Sequence, residues 1–558
     1  MLLYVLLAAP LVAALLTVFA SGKDGESSFR LGLVLSLMVA LLGLPLVTCM
    51  PLVEAKLQWF TLWGTNATVH LSLASDGLSA WLIQLVIWLT PIAILGSRKL
   101  VGERMRDFAA AVLVMEALMI GALLSRDLVV FYVFFEAMLV PMLVLIALFG
   151  GAERRSASLW FFLYTMFGSI FMLVAIWWLA WKTGSTDLAT VITALPGLKQ
   201  SGQLTATGEC WLFAAFALAF AVKVPLVPFH SWQAKTYSET PAGGAVLLAG
   251  AMAKIGVYGF LRFVLPMFPA LSAEYAHIFV WLGLIGVIGG ALVAMAQDDI
   301  KRMIAFSSLS HLSLVMVGIF SFHQAALAGV PVQMVAHGLS VAALFLLVGY
   351  LEARSSSRGL DDFGGLADRT PIFAVLFVTT ALASAALPGT ANFVGEFMLL
   401  FGTYLGLGFT VAFLAGLSVI LTAVYLLRVV QRWLYGKRHP SLDRLPDLGA
   451  GEILAVVPLL LASFFFGFYP KPINDQAVPV VVELSATARE QALMLKSAAA
   501  QAKAGKVEAA TAAPATAVPA VPAKAAPVAP APAASAPASA APVAPAVSAP
   551  AAAPSVKP

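Results

Sequence analysis

Six ionisable side chains, Glu136, Lys223, Lys254, His311, His337 and Glu396, stand inside hydrophobic runs. A charge at bilayer depth costs about 2.5–3.5 kcal/mol on insertion scales. A chain that keeps several there pairs them and uses them, and the chemistry this set can do is proton or ion transfer. Just beyond Lys223, Pro225 and Pro228 remove two backbone donors and break the helix. Broken helices at membrane depth are tolerated where they are buried in protein or line a wet cavity. Apolar residues flank Lys223 on both sides, which argues against a lysine that merely reaches for the headgroups. Burial disfavours a lone charge and an opposite charge restores it, so Glu136 and Lys223 form the natural candidate pair. Glu116, in Val-Leu-Val-Met-Glu-Ala-Leu-Met, fits a relay carboxylate and a neutral core acid equally well.

Ser307 and Ser308 precede His311 by four and three residues. They share its helical face, where they are expected to hydrogen-bond the ring and carry water. His337 is the second relay candidate. His230, beside Pro228 and Trp232, is expected to stabilise the break after Lys223, and His70 to be a solvated loop residue. No two of these histidines have metal-ligand spacing on one helix. The two cysteines, Cys49 and Cys210, form no C-x-x-C, so neither a zinc site nor an iron–sulfur cluster can be built from them.

The elements that must position these groups are transmembrane helices. Of 558 residues, 61% are hydrophobic and 11% charged, with a mean hydropathy of +0.93. That composition excludes a soluble enzyme and predicts an all-α polytopic membrane protein. Apolar runs long enough to span predict about fourteen helices, with Glu136 on the fifth, Lys223 on the seventh, His311 on the tenth and Glu396 on the twelfth. The first run, from Met1 to Ala20, lacks a basic start and a small-residue cleavage site, and is expected to be a retained helix. The net charge of +5 lies in short loops between helices and reports topology, with no nucleic acid implied. Loops after odd-numbered helices hold 17 Lys and Arg, against 5 after even-numbered ones. The odd loops are therefore expected in the cytoplasm and both termini outside.

The second half repeats the arrangement of the first. His311 follows Glu136 by 175 residues (311 − 136), and Glu396 follows Lys223 by 173 (396 − 223). Pro388-Gly389 interrupts the twelfth helix near Glu396 as Pro225 interrupts the seventh. Paired interruptions in corresponding positions point to a repeat-built transporter with midplane sites, and an odd five-helix repeat must be inverted. The predicted organisation is residues 1–107 for helices one to three, 108–265 and 266–436 for the two inverted repeats, 437–476 for the last helix and its flanks, and 477–558 for a tail. In the tail, 477–508 can form an amphipathic helix. From about Ala509 the Ala/Pro-rich chain is expected to be disordered.

Several stretches resemble one family. They are Phe134-Phe135-Glu136-Ala137-Met138-Leu139-Val140-Pro141-Met142, Ala221-Val222-Lys223-Val224-Pro225, Gln297-Asp298-Asp299-Ile300-Lys301-Arg302, Gln333 to Ser340 and Pro388 to Met398. From about residue 70 to 475 the chain is similar to the chain M (chain 4) family of bacterial NADH-quinone oxidoreductase, the proton-pumping respiratory complex I. The resemblance implies fourteen helices with two inverted five-helix repeats and a midplane proton path. It makes Glu136 and Lys223 an ion pair, Lys254 the central lysine, His311 and His337 relay histidines, and Glu396 the terminal carboxylate. Sister antiporter-like chains typically carry Lys where this chain has Glu396. After His230-Ser231-Trp232 the family usually reads Leu-Pro-Asp-Ala-His, but here Gln233-Ala234-Lys235-Thr236-Tyr237 follows.

No G-x-G-x-x-G follows a strand. NADH, FMN, iron–sulfur clusters and quinone are accordingly expected on partner subunits, with no cofactor bound by this chain. The implied partners are the other membrane-arm subunits, including two related antiporter-like chains, and the lipid of a bacterial inner membrane. The rival readings are a subunit of an Mrp-type cation/proton antiporter or membrane-bound hydrogenase, and a passive membrane scaffold. Glu396 speaks against the first and the buried charges against the second.

Overall fold

A backbone that crosses hydrocarbon must satisfy its own hydrogen bonds, so long apolar runs fold as helices. The computed structural model describes residues 1–20, 24–48, 52–53, 56–437 and 445–511. Cys49, Glu54 and the Ala/Pro-rich stretch from 512 onward lie outside them. Among the described residues, twelve helical stretches are long and apolar enough to cross a membrane. One of these, Gly77–Leu124, is two helices end to end.

In chain order the helices are α1 (Leu2–Phe19), α2 (Gly25–Gly43), α3 (Gly77–Val101), α4 (Met105–Leu124), α5 (Leu128–Ala137), α6 (Leu139–Phe149), α7 (Arg154–Thr183), α8 (Leu188–Gln200), α9 (Ala206–Lys223) and α10 (Ser231–Glu239). They continue with α11 (Ala242–Met267), then α12 (Ala276–Met295), α13 (Ile300–Phe320), α14 (Gln324–Ser355), α15 (Pro371–Ser384), α16 (Ala391–Leu407), α17 (Phe409–Tyr435), α18 (Ala450–Phe468) and α19 (Lys471–Thr511). The all-α expectation needs one amendment. Between α2 and α3, β2 (Leu57–Thr61) pairs antiparallel with β3 (Thr68–Leu71), and β1 (Leu52–Val53) with β4 (Ala74–Ser75). His70 is therefore a half-buried strand residue whose amide donates to Asp127 Oδ2 at 3.1 Å, not a solvated loop residue.

Proline explains where the helices break. The seventh predicted run ends at Lys223, because Pro225 cannot donate to the Ala221 carbonyl, and the Leu226 amide takes that acceptor at 2.8 Å. Likewise Pro141 cannot bond Ala137, and the run around Glu136 divides at Met138 into α5 and α6. The expected interruption between α15 and α16 is present. Gly389 occupies it with φ +96°, a conformation that favours glycine.

Side-chain contacts sort the loops onto two faces. On one, Lys235 pairs with Glu153 at 2.7 Å, Arg358 with Asp299 at 3.0 Å and Glu239 at 3.2 Å, and Arg354 with Glu452 at 2.5 Å. These contacts join loops that follow the odd-numbered predicted helices, and we call this the basic face. The opposite, hairpin face carries β2 and β3, the Lys56–Asp187 pair at 2.6 Å, and α19. Helix α19 buries Ile473, Ala477, Val481, Ser485, Ala488 and Ala492, a stripe spaced three and four residues apart as an amphipathic surface helix requires. Trp81 Nε1 donates to Gln476 Oε1 at 2.9 Å, and Lys496 Nζ to the Gly406 carbonyl at 2.7 Å, so α19 lies across several spans. The core sits at α11, α13 and α14, whose apolar windows are 100%, 94% and 100% buried. Those three helices carry Lys254, His311 and His337.

Candidate functional site

Burial fixes where charge can act in this molecule. Lys223, Lys254, His311, His337 and Glu396 are all buried, and Glu136 is half-buried. Lys254 lies on a segment of α11 flanked by two π-helical turns, Leu248–Met252 and Phe260–Val264. Such turns loosen the regular hydrogen-bond ladder and concentrate at functional sites. Lys254 Nζ donates to the Ala249 carbonyl at 2.5 Å and stands 2.8 Å from His337 Nδ1. When the lysine carries the proton, that ring nitrogen is the acceptor and the ring hydrogen sits on Nε2.

The His337 and His311 rings are 5.4 Å apart at their centroids. His311 Nδ1 lies 2.9 Å from Glu396 Oε1, which also accepts from Gln333 Nε2 at 3.1 Å. One row of groups thus runs from α11 through α14 and α13 to α16. Its polar flank is Asn392 Nδ2 on Ser340 Oγ at 3.1 Å, and Tyr425 OH on Ser307 Oγ at 2.6 Å. His311 Nε2, Ser308 Oγ, Gln333 Oε1 and Asn392 Oδ1 are buried along the row with no hydrogen-bond partner.

Glu136 and Lys223 are brought within electrostatic range without a direct ion pair. Lys223 Nζ has no hydrogen-bond partner and sits 4.6 Å from the Phe135 ring centroid, a cation–π contact. Ser169 faces the Glu136 carboxyl from α7. Helix α11 approaches the end of α9 at Gly256, where a Cβ would meet the Val224 nitrogen at 2.9 Å and Lys223 Cβ at 3.1 Å. Only a glycine lets the helix of Lys254 come so close to that of Lys223.

The expectation for Ser307 and Ser308 changes. Ser307 accepts from Tyr425 instead of bonding the His311 ring, and Ser308 has no partner. His230 Nδ1 is unpartnered, but its ring meets the Pro228 backbone inside the break after Lys223, where Trp232 Nε1 also donates to the Val222 carbonyl at 3.0 Å. Glu116 is fully buried with neither carboxyl oxygen hydrogen-bonded, apart from the row. Lys235, new in its loop, is held by Glu153 and by Ser156 Oγ at 2.9 Å. Gln333 was legible, since it precedes His337 by one helical turn, whereas Tyr425 carries no local signal.

The family model described as NADH:quinone oxidoreductase/Mrp antiporter, TM, matches residues 125–422, which contain every group of the row. The chain is 38% identical over 412 residues to NADH-quinone oxidoreductase subunit M of Rickettsia prowazekii (strain Madrid E), covering 74% of this chain and 82% of the relative. The chain belongs to the NADH-quinone oxidoreductase subunit M (chain 4) family. Another member, NADH-ubiquinone oxidoreductase chain 4 of Arabidopsis thaliana, is 35% identical over 474 residues, covering 84% of this chain and 94% of that one. A chain of respiratory complex I from Thermus thermophilus with bound NADH superposes with a TM-score of 0.76 at 30% identity, over 88% of this chain and 100% of that one. The Mrp complex from Dietzia sp. DQ12-45-1b shares the fold, with a TM-score of 0.73 at 21% identity, over 88% of this chain and 99% of that one. Membership makes this a multi-pass membrane protein of a respiratory complex.

Proposed function

We propose that this chain is the proton-translocating membrane-arm subunit M of an NADH-quinone oxidoreductase, and that Glu136, Lys223, Lys254, His337, His311 and Glu396 carry the proton. The observation that carries the reading is the buried row in which Lys254 touches His337 and His311 touches Glu396. Each member binds or releases a proton, and the unpartnered polar atoms between them are where bridging water would be held.

In the mechanism, Glu136 governs Lys223 from a distance. Moving the carboxylate nearer favours the ammonium form, and moving it away favours release, because a buried ammonium without a counter-charge is disfavoured. The released proton passes to Lys254, whose Nζ hands it to His337 Nδ1. From there it crosses to His311 and reaches Glu396, with Gln333 holding the carboxylate in place. Redox chemistry, with its NADH, FMN, iron–sulfur clusters and quinone, belongs to partner subunits, among them two related antiporter-like chains.

Fourteen crossings follow if α3 and α4 count separately and α15 with α16 as one interrupted span. An inverted repeat is supported by two helix caps, Asp127 on α5 and Asp299 on α13, which lie 172 residues apart (299 − 127) and on opposite faces. The excess of Lys and Arg assigns the basic face to the cytoplasm of a bacterial inner membrane and both termini to the outside.

The test is Lys254→Met in the assembled complex, reading proton uptake into inverted vesicles per NADH oxidised. The ratio should fall while native gels show full assembly. An assembled variant that pumps at the parental ratio would overturn the reading.

A further inference from the structure

A second buried charge cluster lies outside the row, on the same helix as Lys254. Tyr258 and Arg262 follow Lys254 at four-residue steps along α11, toward the hairpin face. There Arg262 Nη2 and Arg126 Nη2 both reach Asp76 Oδ2, the latter at 3.0 Å. Arg262 Nε and Arg126 Nη1 both donate to the Tyr258 hydroxyl, at 3.2 and 3.0 Å. Tyr258 is fully buried and Arg262 nearly so.

The hydrogen-bond directions decide what this cluster can do. Tyr258 has a single hydroxyl proton, and it is donated to the Leu123 carbonyl at 2.9 Å. The oxygen accepts from two guanidinium groups, which stay protonated at any working pH. Asp76 is equally occupied. Its Oδ1 accepts from the Ser79 amide at 3.0 Å and hydroxyl at 3.2 Å, while Oδ2 takes both arginines. A proton wire needs groups that can accept on one side and donate on the other. The guanidinium groups do not give up a proton, the Leu123 carbonyl does not pass one onward, and the Ser79 hydroxyl turns its proton back to Asp76 itself. Two guanidinium groups against one carboxylate also leave a net positive charge, and a fixed arginine is a known barrier to protons and cations.

We propose that Arg126 and Arg262, tied through Tyr258 and Asp76, form a positive seal at the hairpin-face end of α11. The seal denies a proton on Lys254 this short exit and leaves His337 as its way onward. The inference rests on the reading of Lys254 as a proton carrier.

The test uses the assembled complex in sealed vesicles, with two readings: protons moved per NADH, and passive decay of an imposed pH gradient without NADH. Arg262→Gln should retain NADH oxidation, lower the pumping ratio and speed the decay on the order of tenfold, as expected for losing one nearby unit charge at low dielectric. Arg262→Lys replaces a group that holds its proton by one that releases it when buried, and should stay leakier than the parental complex. Asp76→Asn keeps the helix cap and both guanidinium groups, so it should stay tight. Adding Lys254→Met to Arg262→Gln should suppress the leak, because the leak runs through Lys254. An assembled Arg262→Gln complex with parental decay would overturn the seal, as would an Asp76→Asn complex that leaks equally, since packing and not charge would then be responsible. Where Arg262→Gln does not assemble, Arg126→Gln, which spares the Arg262–Asp76 pair, decides by the same readings. Failure of the underlying reading looks different, since Lys254→Met alone would then pump at the parental ratio.

Discussion

His311 Nδ1 and Glu396 Oε1 are 2.9 Å apart, each side chain nearly sealed from solvent, on helices α13 and α16 that are distant in sequence. An imidazole N–H donating to a carboxylate is a charge-assisted bond when the ring is protonated, so a proton on His311 strengthens the contact and its departure weakens it. The pair therefore changes strength with each proton that passes.

Glu396→Gln keeps the shape and one hydrogen bond but removes the charge. The variant should lose about 1.5–3 kcal/mol of stability, the range for a hydrogen bond to a charged group. It should still assemble, leave NADH oxidation by the extramembrane subunits intact and move fewer protons per NADH. Thermal stability and vesicle acidification measure the two effects separately, and normal pumping in an assembled variant would remove Glu396 from the path.

Glu136 and Lys223 separate a pump from a scaffold. Replacing a buried charge pair by two neutral, well-packed residues is often harmless to stability, so Glu136→Gln with Lys223→Met should assemble. If the lysine carries protons, the double variant fails to pump because no titratable group remains at that step. Glu136→Asp keeps the carboxylate and should be milder than Glu136→Gln. Parental proton uptake per NADH in the double variant would end the mechanism.

Much of this arrangement was legible in the sequence. Buried charges stand out against apolar runs because desolvation makes them rare, and the prolines after Lys223 and before Gly389 mark real helix breaks. The 17 to 5 loop bias also separates two faces that the ion pairs of Arg358, Arg354 and Lys235 bear out as spatial groups. What escaped depends on contacts between distant segments. No local pattern brings Arg126, Arg262 and Asp76 together, and none predicts that Glu136 and Lys223 approach without touching. The π-helical turns around Lys254 likewise arise from packing, since the segment reads as an ordinary helix.

The assignment of faces is open to chemical labelling. Trp63, at the tip between β2 and β3, is 93% exposed, and Arg155 lies on the opposite, basic face. In a background with Cys49 and Cys210 replaced, Trp63→Cys should react with a membrane-impermeant maleimide applied to whole spheroplasts. Arg155→Cys should react only in inverted vesicles. The reverse pattern would turn the molecule over in the membrane.

Asp76 provides a pH test of the hairpin-face cluster. Burial alone would raise its carboxyl, but the charges of Arg262 and Arg126, together with the Ser79 amide, outweigh burial and hold it below the ordinary carboxylate value. A group whose folded value is depressed stabilises the structure above its unfolded value, about 3.9 for aspartate, and that contribution disappears as pH falls through the lower folded value. The groups facing it are Arg126, Arg262 and Ser79, none of which titrates in that range. Acidifying the hairpin side from pH 7 to about 5 should therefore leave the cluster intact, since both values lie below that window. Hydrogen exchange of the Ser79 amide, which donates to Asp76 Oδ1 at 3.0 Å, reads the contact directly once intrinsic rates are corrected. Protection should hold across that range in the parental chain. In Arg262→Gln, where one of the two guanidinium charges is gone, the onset of loss should move to higher pH. Protection already lost by pH 5 in the parental chain would show that the arginines do not hold the carboxylate.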